Sequence, residues 1–184
     1  MRQPIVSAIA FAAMLAIAGC GEQKTVTATN ESVADVVAKV GNSGPHFLPG
    51  RWESQMKFGK LDMPDMPPEM AALMEKSVAE ERSFVSCLTP ADVEKPGSKF
   101  FGQENDKCKY DSFTMGGGRI DAKLSCNDDE GTQEMTMNGV YTPETYAMTM
   151  SIKGKRSGGQ GMNMTMSMTA KRAGECTGKE DAEG

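Results

Sequence analysis

Methionine occupies every second position of the segment GMNMTMSMT near the end of the chain. Met162, Met164, Met166 and Met168 carry thioether sulfurs, which are good ligands for soft monovalent cations such as Cu(I) and Ag(I). The same flexible side chains can line an apolar binding surface or fill irregular gaps in a hydrophobic core. A metal site requires the sulfurs to converge where solvent reaches them, whereas core packing requires them to face inward. The chemistry therefore depends on the element that carries these residues.

The segments around these methionines have the pattern of β-strands. Successive side chains of a strand point to opposite faces of its sheet, so the four methionines share one face and the intervening polar residues share the other. Pairing Tyr141 with Tyr146 across a hairpin loop places Met137 opposite Met150, on the same side. One apolar and one polar face are typical of an antiparallel sheet packed on one side only. The predicted ligand face, called the methionine face below, consists of Met135, Met137, Met148, Met150, Met164 and Met166.

The methionine face has two interpretations without a metal. The segment MPDMPPEMAALMEKSVAEE predicts a helix with Pro68 in its first turn and an apolar stripe of Met70, Leu73, Met74 and Val78. In the core-packing interpretation, which the pattern favours, this helix covers the methionine face. In the pocket interpretation, a curved sheet under a loosely fitting helix holds a lipid tail or another small apolar molecule.

The third interpretation is a thioether site for Cu(I) or Ag(I). Such a site needs several sulfurs at an exposed edge, often with a histidine, and the single histidine, His46, precedes the predicted domain. The segment Met63-Pro64-Asp65-Met66 is the more exposed methionine-rich candidate. A zinc site is not expected, because the chain has no C-x-x-C pair. The sequence therefore predicts no metal site and no cofactor.

The rest of the chain predicts an α+β fold. The segment LPGRWESQMKF alternates as a strand with Trp52, Met56 and Phe58 on one face, and RSFVSCL predicts a second strand. Thr89-Pro90-Ala91-Asp92 has the pattern of a helix start. From Lys107 onward, strand patterns alternate with turns, including Gly116-Gly117-Gly118. We expect a mostly antiparallel β-sheet meander, stapled by disulfides, with one or two short helices packed on its Met-rich face.

The N-terminal residues predict an exported lipoprotein. A charge at Arg2, an apolar run and small residues make residues 1–19 a signal peptide, and Ile17-Ala18-Gly19-Cys20 matches a lipobox, in which Cys20 is acylated by palmitate-type chains. The chain has five cysteines, and lipidation of Cys20 leaves an even set. Ordinary cleavage after Ala18 is the alternative. Residues 20–46 are predicted to be a flexible tether, residues 47–176 the β-rich domain and residues 177–184 a polar tail.

The predicted lipoprotein signal also indicates where the protein is located and that it contacts the membrane. Because Gly21 is not the aspartate that signals inner-membrane retention, we expect the periplasmic face of the outer membrane, with a soluble periplasmic protein as the alternative. The N-terminal lipid would be the contact with the membrane. A short stripe of Val33, Val36, Val37 and Val40 inside the tether predicts a helix that docks or frays.

The four remaining cysteines allow three pairings. With a hairpin turn centred on Gly117, Cys108 and Cys126 face each other across two strands, which favours their bridge. Cys87 and Cys176 then form the second bridge, between the second strand of the domain and the end of the last one. The alternative, Cys87–Cys108 with Cys126–Cys176, stays open.

Composition excludes several functions. The net charge is −5 and aromatic residues make up 6% of the chain, so nothing predicts nucleic-acid binding. A serine triad or a Cys/His pair would depend on His46 in the predicted tether, and the acidic run of Asp128, Asp129 and Glu130 is typical of a solvated loop. We therefore expect a protein that is not an enzyme.

An ordered set of motifs resembles a known family. PGRWE at residues 49–53, MPDMPPEM, SCLTPADV at 86–93, CKYDSF with GGGRIDAKLSC, and a terminal KRAGEC occur in this order. Together they resemble the bacterial exported family of domain of unknown function 3617 over residues 47–176. Its arginine-glycine-acid-cysteine ending is one residue longer here, at residues 172–176. The resemblance implies an exported, disulfide-bonded β-rich domain and supplies no catalytic residues.

The sequence thus predicts a non-enzymatic cell-envelope lipoprotein that binds an apolar small molecule, a lipid or an envelope partner through the methionine face. The alternative is a structural or stress-related envelope protein whose methionines are core, and a Cu(I)/Ag(I) binder is a further one. Protein partners are not predicted.

Overall fold

The structure, a computed structural model, describes residues 24–43, 47–78, 80–94, 106–129, 131–159 and 161–180. Within these residues the chain forms nine β-strands and three helices. The elements in chain order are β1 (Val26–Ala28), β2 (Glu31–Ser32), α1 (Val33–Ser43), β3 (Gly50–Asp62), α2 (Pro68–Val78), β4 (Arg82–Leu88), α3 (Pro90–Glu94), β5 (Cys108–Gly116), β6 (Arg119–Asp128), β7 (Gly131–Tyr141), β8 (Thr145–Arg156) and β9 (Gly161–Gly174).

All nine strands belong to one antiparallel sheet. The strand order is β1-β5-β6-β7-β8-β9-β3-β4, and β2 pairs with β5 beside β1. Strands β5 to β9 are consecutive neighbours, as in a meander, and β3 adds to the far side of β9. The predicted α+β fold with a mostly antiparallel meander is therefore confirmed.

The predicted hairpin register between β7 and β8 is also confirmed. Tyr141 pairs with Tyr146, and Met137 pairs with Met150. The Thr142–Thr145 turn holds this register, since the Thr142 amide donates to the Thr145 carbonyl at 2.8 Å and the Thr145 amide donates to the Thr142 hydroxyl at 3.0 Å. The register places the methionines of both strands on one face.

The hydrophobic core lies toward one end of this apolar face. Phe47 is packed edge-on against Trp52, with ring centroids 5.8 Å apart, and Tyr146 stacks on Trp52 at 6.0 Å. Helix α1 contacts β1, β2 and β5 at one side of the sheet. The same helix contacts α3, which follows β4 at the other side of the sheet. Because α1 contacts elements from both ends of the strand order, the sheet must curve around its apolar face.

The prediction that residues 20–46 form a flexible tether is wrong for residues 24–43. Strand β1 pairs with β5, and α1 is capped by Ser32, whose hydroxyl accepts from the Asp35 amide at 3.1 Å. The valine stripe faces the core, and the helix docks instead of fraying. The polar composition of the segment concealed this role, because only one side of each short element is apolar. The buried residues of this segment are Val26, Ala28, Val33, Val36 and Val40.

Helix α2 forms over the predicted residues but does not cover the methionine face. None of its side chains is buried, and Met70, Leu73 and Met74 are 55%, 69% and 41% exposed. The helix contacts β3, from which it follows in the chain. The prediction that α2 packs on the face is therefore wrong, and α1 is the helix that packs on the sheet. Periodicity marks a helix as amphipathic without specifying which surface it meets.

Both disulfides join the pairs that the hairpin argument favours. Cys108 and Cys126 face each other in β5 and β6, with Cα atoms 4.0 Å apart. Cys87, near the end of β4, is bonded to Cys176, just after β9. The two bridges thus close loops of very different length, with sequence separations of 18 and 89.

Replacing Val36 with alanine tests the structural role of the predicted tether. Val36 is fully buried, so we expect the substitution to lower the free energy of unfolding by about 2 kcal/mol through lost burial and a residual cavity. Lys39→Ala on the same helix is the control, because it removes only an exposed ion pair with Glu31, worth about 0–1 kcal/mol. Urea unfolding measures both. Equal, small effects of the two substitutions would contradict the docked position of α1.

Candidate functional site

The methionine face is built from rows of side chains that cross neighbouring strands. In one row Met137, Met150 and Met166 are successive partners on β7, β8 and β9, and Phe58 on β3 continues it. Adjacent rows are two residues apart along each strand, or about 7 Å. The row toward the aromatic core contains Met148, Met168 and Met56, and the row on the other side contains Met135, Ile152, Met164 and Leu61.

These side chains are less buried than the core beside them. Each residue of the predicted face, Met135, Met137, Met148, Met150, Met164 and Met166, has intermediate exposure. By contrast, Met115 on β5, beside β1, is only 4% exposed. Within the face itself, Ile152, which lies between Met135 and Met164, is 7% exposed. The structure therefore brings all six predicted residues together on one apolar face that the described elements cover only in part.

The opposite face of the sheet is polar and solvated. It carries threonines, serines and asparagines together with ion pairs such as Lys123–Glu134, whose charged atoms are 2.7 Å apart. The hydrogen bond from Lys123 to Glu134 raises the pKa of this lysine. Lys171 and Glu53 form a similar pair on β9 and β3, at 3.4 Å. Because charges and apolar side chains lie on separate faces, the methionine face is the apolar surface of this sheet.

A cavity of about 440 Å³ lies where the methionine face ends, away from the aromatic core. Met162 and Gln133, on the inward side of β9 and β7, line its sheet side. Met63, Met66 and Met74, from α2 and the turn before it, line the other side. We call this region the mouth. Other residues that line it are Cys126, Asp128, Gly131, Thr132, Gly154, Lys155, Arg156 and Gly161.

Hydrogen bonds fix the turn that borders the mouth. The Met66 amide donates to the Met63 carbonyl at 3.0 Å, which closes the turn. The Gly161 amide, at the start of β9, donates to the Asp65 carboxylate at 2.8 Å. These bonds hold the methionines of the turn against the sheet, although the helix that follows is exposed.

Charged groups line the mouth, among them Asp128, Lys155 and Arg156, but the methionine face itself carries none among the described residues that form it. Among all the described residues no group of three His, Cys, Asp or Glu side chains lies close enough to hold a metal ion. The cysteines of the domain are consumed in disulfides and offer no thiolate. Burial raises the pKa of Tyr110 to about 12 and also raises the pKa of Tyr146. The site is therefore suited to contact with apolar groups.

Met162 and Met168 share the face, as the alternation of the last strand predicts, and Met56 on β3 lies in the same row as Met168. Met70 and Met74 were predicted to pack in the core, but Met74 lines the mouth and Met70 lines a smaller cavity that adjoins it.

Cys20 and the predicted signal peptide, residues 1–19, lie outside the described residues. Within the described residues, none of the helices is long and apolar enough to cross a membrane.

Together these features define a class: a disulfide-bonded, antiparallel β-sheet domain with one concave, methionine-lined face. The chain belongs to the protein family of unknown function DUF3617, whose profile matches residues 47–176. No curated protein matches it in sequence. Among solved structures it is similar to the S-type phycobiliprotein lyase CPES from Guillardia theta, at 12% identity over 77% of this chain and 92% of that one, with a TM-score of 0.27. A likeness this weak carries no argument about function.

A pair of substitutions on β8 distinguishes an open face from a filled core. Ile152→Ala removes a buried side chain and should lower the free energy of unfolding by about 2–5 kcal/mol. Met150→Ala, on the same strand and face, should cost about 1 kcal/mol or less, because the side chain is already partly solvated. Urea unfolding of both variants gives the comparison. A cost for Met150→Ala equal to that for Ile152→Ala would show that the face is packed core.

Proposed function

We propose that this protein is a non-enzymatic binding protein for an apolar molecule, a lipid tail or a similar small ligand, held on the methionine face. The observation that carries the proposal is the partial burial of a continuous apolar surface beside a buried core. A contiguous apolar surface that is only partly covered is costly in water and commonly marks a binding site. Its concave shape, inferred from the curvature of the sheet, suits a ligand better than a flat partner.

The chemistry of the face supports a ligand of variable shape. Methionine has three rotatable bonds and a polarisable sulfur, so a surface rich in it adapts to differently shaped apolar groups. The adjoining cavity of about 440 Å³ lies within the range of about 300–1,000 Å³ that is usual for small-molecule sites. Tyr146 offers one polar atom near the inner end, where its hydroxyl lies 3.4 Å from the Met168 sulfur. The proposed ligand is therefore mostly apolar.

The proposed setting is the periplasmic side of the outer membrane. Its support is the sequence, in which residues 1–19 are predicted to be an export signal and Ile17-Ala18-Gly19-Cys20 matches a lipobox. Two bridges in the domain agree with an oxidising compartment. A lipid-anchored protein in this position would meet lipids and other apolar molecules of the envelope.

Binding of the neutral fluorophore N-phenyl-1-naphthylamine to the full, oxidised chain tests the proposal. Met150 and Met166 are cross-strand partners on the methionine face, and replacing both with glutamine should weaken dye binding about tenfold or more, since a buried amide without partners costs more than 1.4 kcal/mol. Thr149 and Ser167 are cross-strand partners on the opposite face of the same strands, and both are exposed.

The Thr149→Gln/Ser167→Gln chain is thus a matched control and should bind the dye as the parent does. Native mass spectrometry of the parent purified from a bacterial periplasm adds a second readout: a mass of lipid size should be retained and then lost on denaturation. Equal dye binding by both double variants, or a parent that binds no dye and retains no mass, would refute the binding function and favour a structural role.

A Cys20→Ser substitution tests the anchor separately. Acylation of Cys20 should hold the parent in the membrane fraction, because a cysteine with two or three acyl chains is stably anchored. The variant should move to the soluble periplasmic fraction with its domain folded. If the parent itself is soluble, ordinary signal cleavage is the correct interpretation, and the binding function is unaffected.

A further inference from the structure

The mouth is rich in methionine, and this feature does not depend on the proposed apolar ligand. Two adjoining cavities share Met63, Met66 and Gly161 in their walls. The larger cavity also meets Met74 and Met162, and the smaller one, of about 200 Å³, meets Met70. Methionine residues from the turn, the helix and the start of β9 thus line one connected space.

The spacing of these residues gives their convergence a physical cause. The hydrogen bond from the Met66 amide to the Met63 carbonyl folds the turn so that both residues border the same space. Residues four apart on a helix lie one above the other, which aligns Met70 with Met74 on one side of α2. The Asp65 carboxylate, bound by the Gly161 amide, holds the turn beside Met162. The arrangement is therefore built by backbone geometry and one long-range bond.

Core packing does not account for these side chains. Met70 and Met74 are 55% and 41% exposed, and no side chain of α2 is buried. Exposed thioethers stabilise little by burial, but they are accessible to a solvated cation. The charged groups that line the two cavities are balanced in number, Asp65 and Asp128 against Lys155 and Arg156, so the site offers no strong attraction for a hard divalent ion.

We propose that the mouth is a binding site for a soft monovalent cation, Cu(I), with thioether ligands drawn from Met63, Met66, Met70, Met74 and Met162. Thioethers select Cu(I) and Ag(I) over the harder ions that prefer carboxylates and imidazoles. The four described cysteines are joined in disulfides and offer no thiolate. The methionine thioethers are therefore the soft ligands that the described part of the domain offers to a metal ion. The proposal does not rest on binding at the methionine face.

Titration with Ag(I), which matches the ligand preference of Cu(I) without redox chemistry, tests the site. The chain carries Cys20→Ser so that no thiol of that residue competes, and its methionine methyl groups are labelled for nuclear magnetic resonance. We expect one Ag(I) per chain and shifts of the methyl signals at the mouth. A Met63→Leu/Met66→Leu/Met70→Leu/Met74→Leu variant, which conserves apolar volume, should bind Ag(I) about tenfold or more weakly.

The matched control replaces four methionines of the methionine face with leucine, at residues 135, 137, 148 and 150, and should bind Ag(I) like the parent. Bathocuproine competition under reducing-agent-free, anaerobic conditions then repeats the comparison with Cu(I). Unchanged Ag(I) binding by the mouth variant, or loss in the face variant alone, overturns the proposal, and so does a parent that binds no Ag(I). Dye binding by the same variants reports separately on the apolar function.

Discussion

Strand register is the constraint on which the rest of this structure depends. Side chains alternate with a period of two, so a slip of one residue between β7 and β8 would turn the methionines to the solvated face and the threonines inward. The Thr142–Thr145 turn prevents this slip through backbone and hydroxyl hydrogen bonds. Once Met137 is opposite Met150, and Met150 opposite Met166, an uninterrupted apolar surface follows from the sequence of each strand.

In the proposed function, stability and ligand binding lie at different ends of this surface. At one end, α1 and the aromatic side chains around Phe47 form a packed interior, and there Arg172 donates from its Nε to the Pro49 carbonyl at 2.7 Å. At the other end, partly solvated methionines adjoin the mouth. A site that must admit a ligand cannot be filled by its own side chains, so the fold has to obtain its stability elsewhere. The Cys87–Cys176 bridge adds to that stability by closing a long loop.

The sequence predicted the sheet well because strand alternation and hairpin turns are local signals. The pairing of Cys108 with Cys126 was also right, but its derivation contained two errors that cancel. A turn centred on Gly117 was assumed, whereas Gly117 and Gly118 together form the turn, both with positive φ. This change alone would move the register by one residue. A bulge at Asp111, between Tyr110 and Ser112, restores it.

The two amphipathic helices show that an apolar stripe does not determine which surface a helix packs against. The valine stripe of α1 and the methionine stripe of α2 have the same kind of amphipathic pattern, yet Val36 is fully buried and Leu73 is 69% exposed. Which helix meets the sheet depends on chain connection: β1 pairs with β5 and draws α1 onto the core, whereas α2 follows a turn at the mouth. For the same reason, the methionine face was predictable residue by residue, and the methionines gathered at the mouth were not.

The measurement that tests the open methionine face most directly is oxidation of the full chain by dilute hydrogen peroxide, followed residue by residue with peptide mass spectrometry. Thioether oxidation follows solvent access, and the chain contains its own standards: Met115 at 4% exposure and Met70 at 55%. We predict that Met150 and Met166 react at rates between these two and become protected when the apolar dye is added. Rates as slow as that of Met115, with or without dye, would show a filled core and contradict the account.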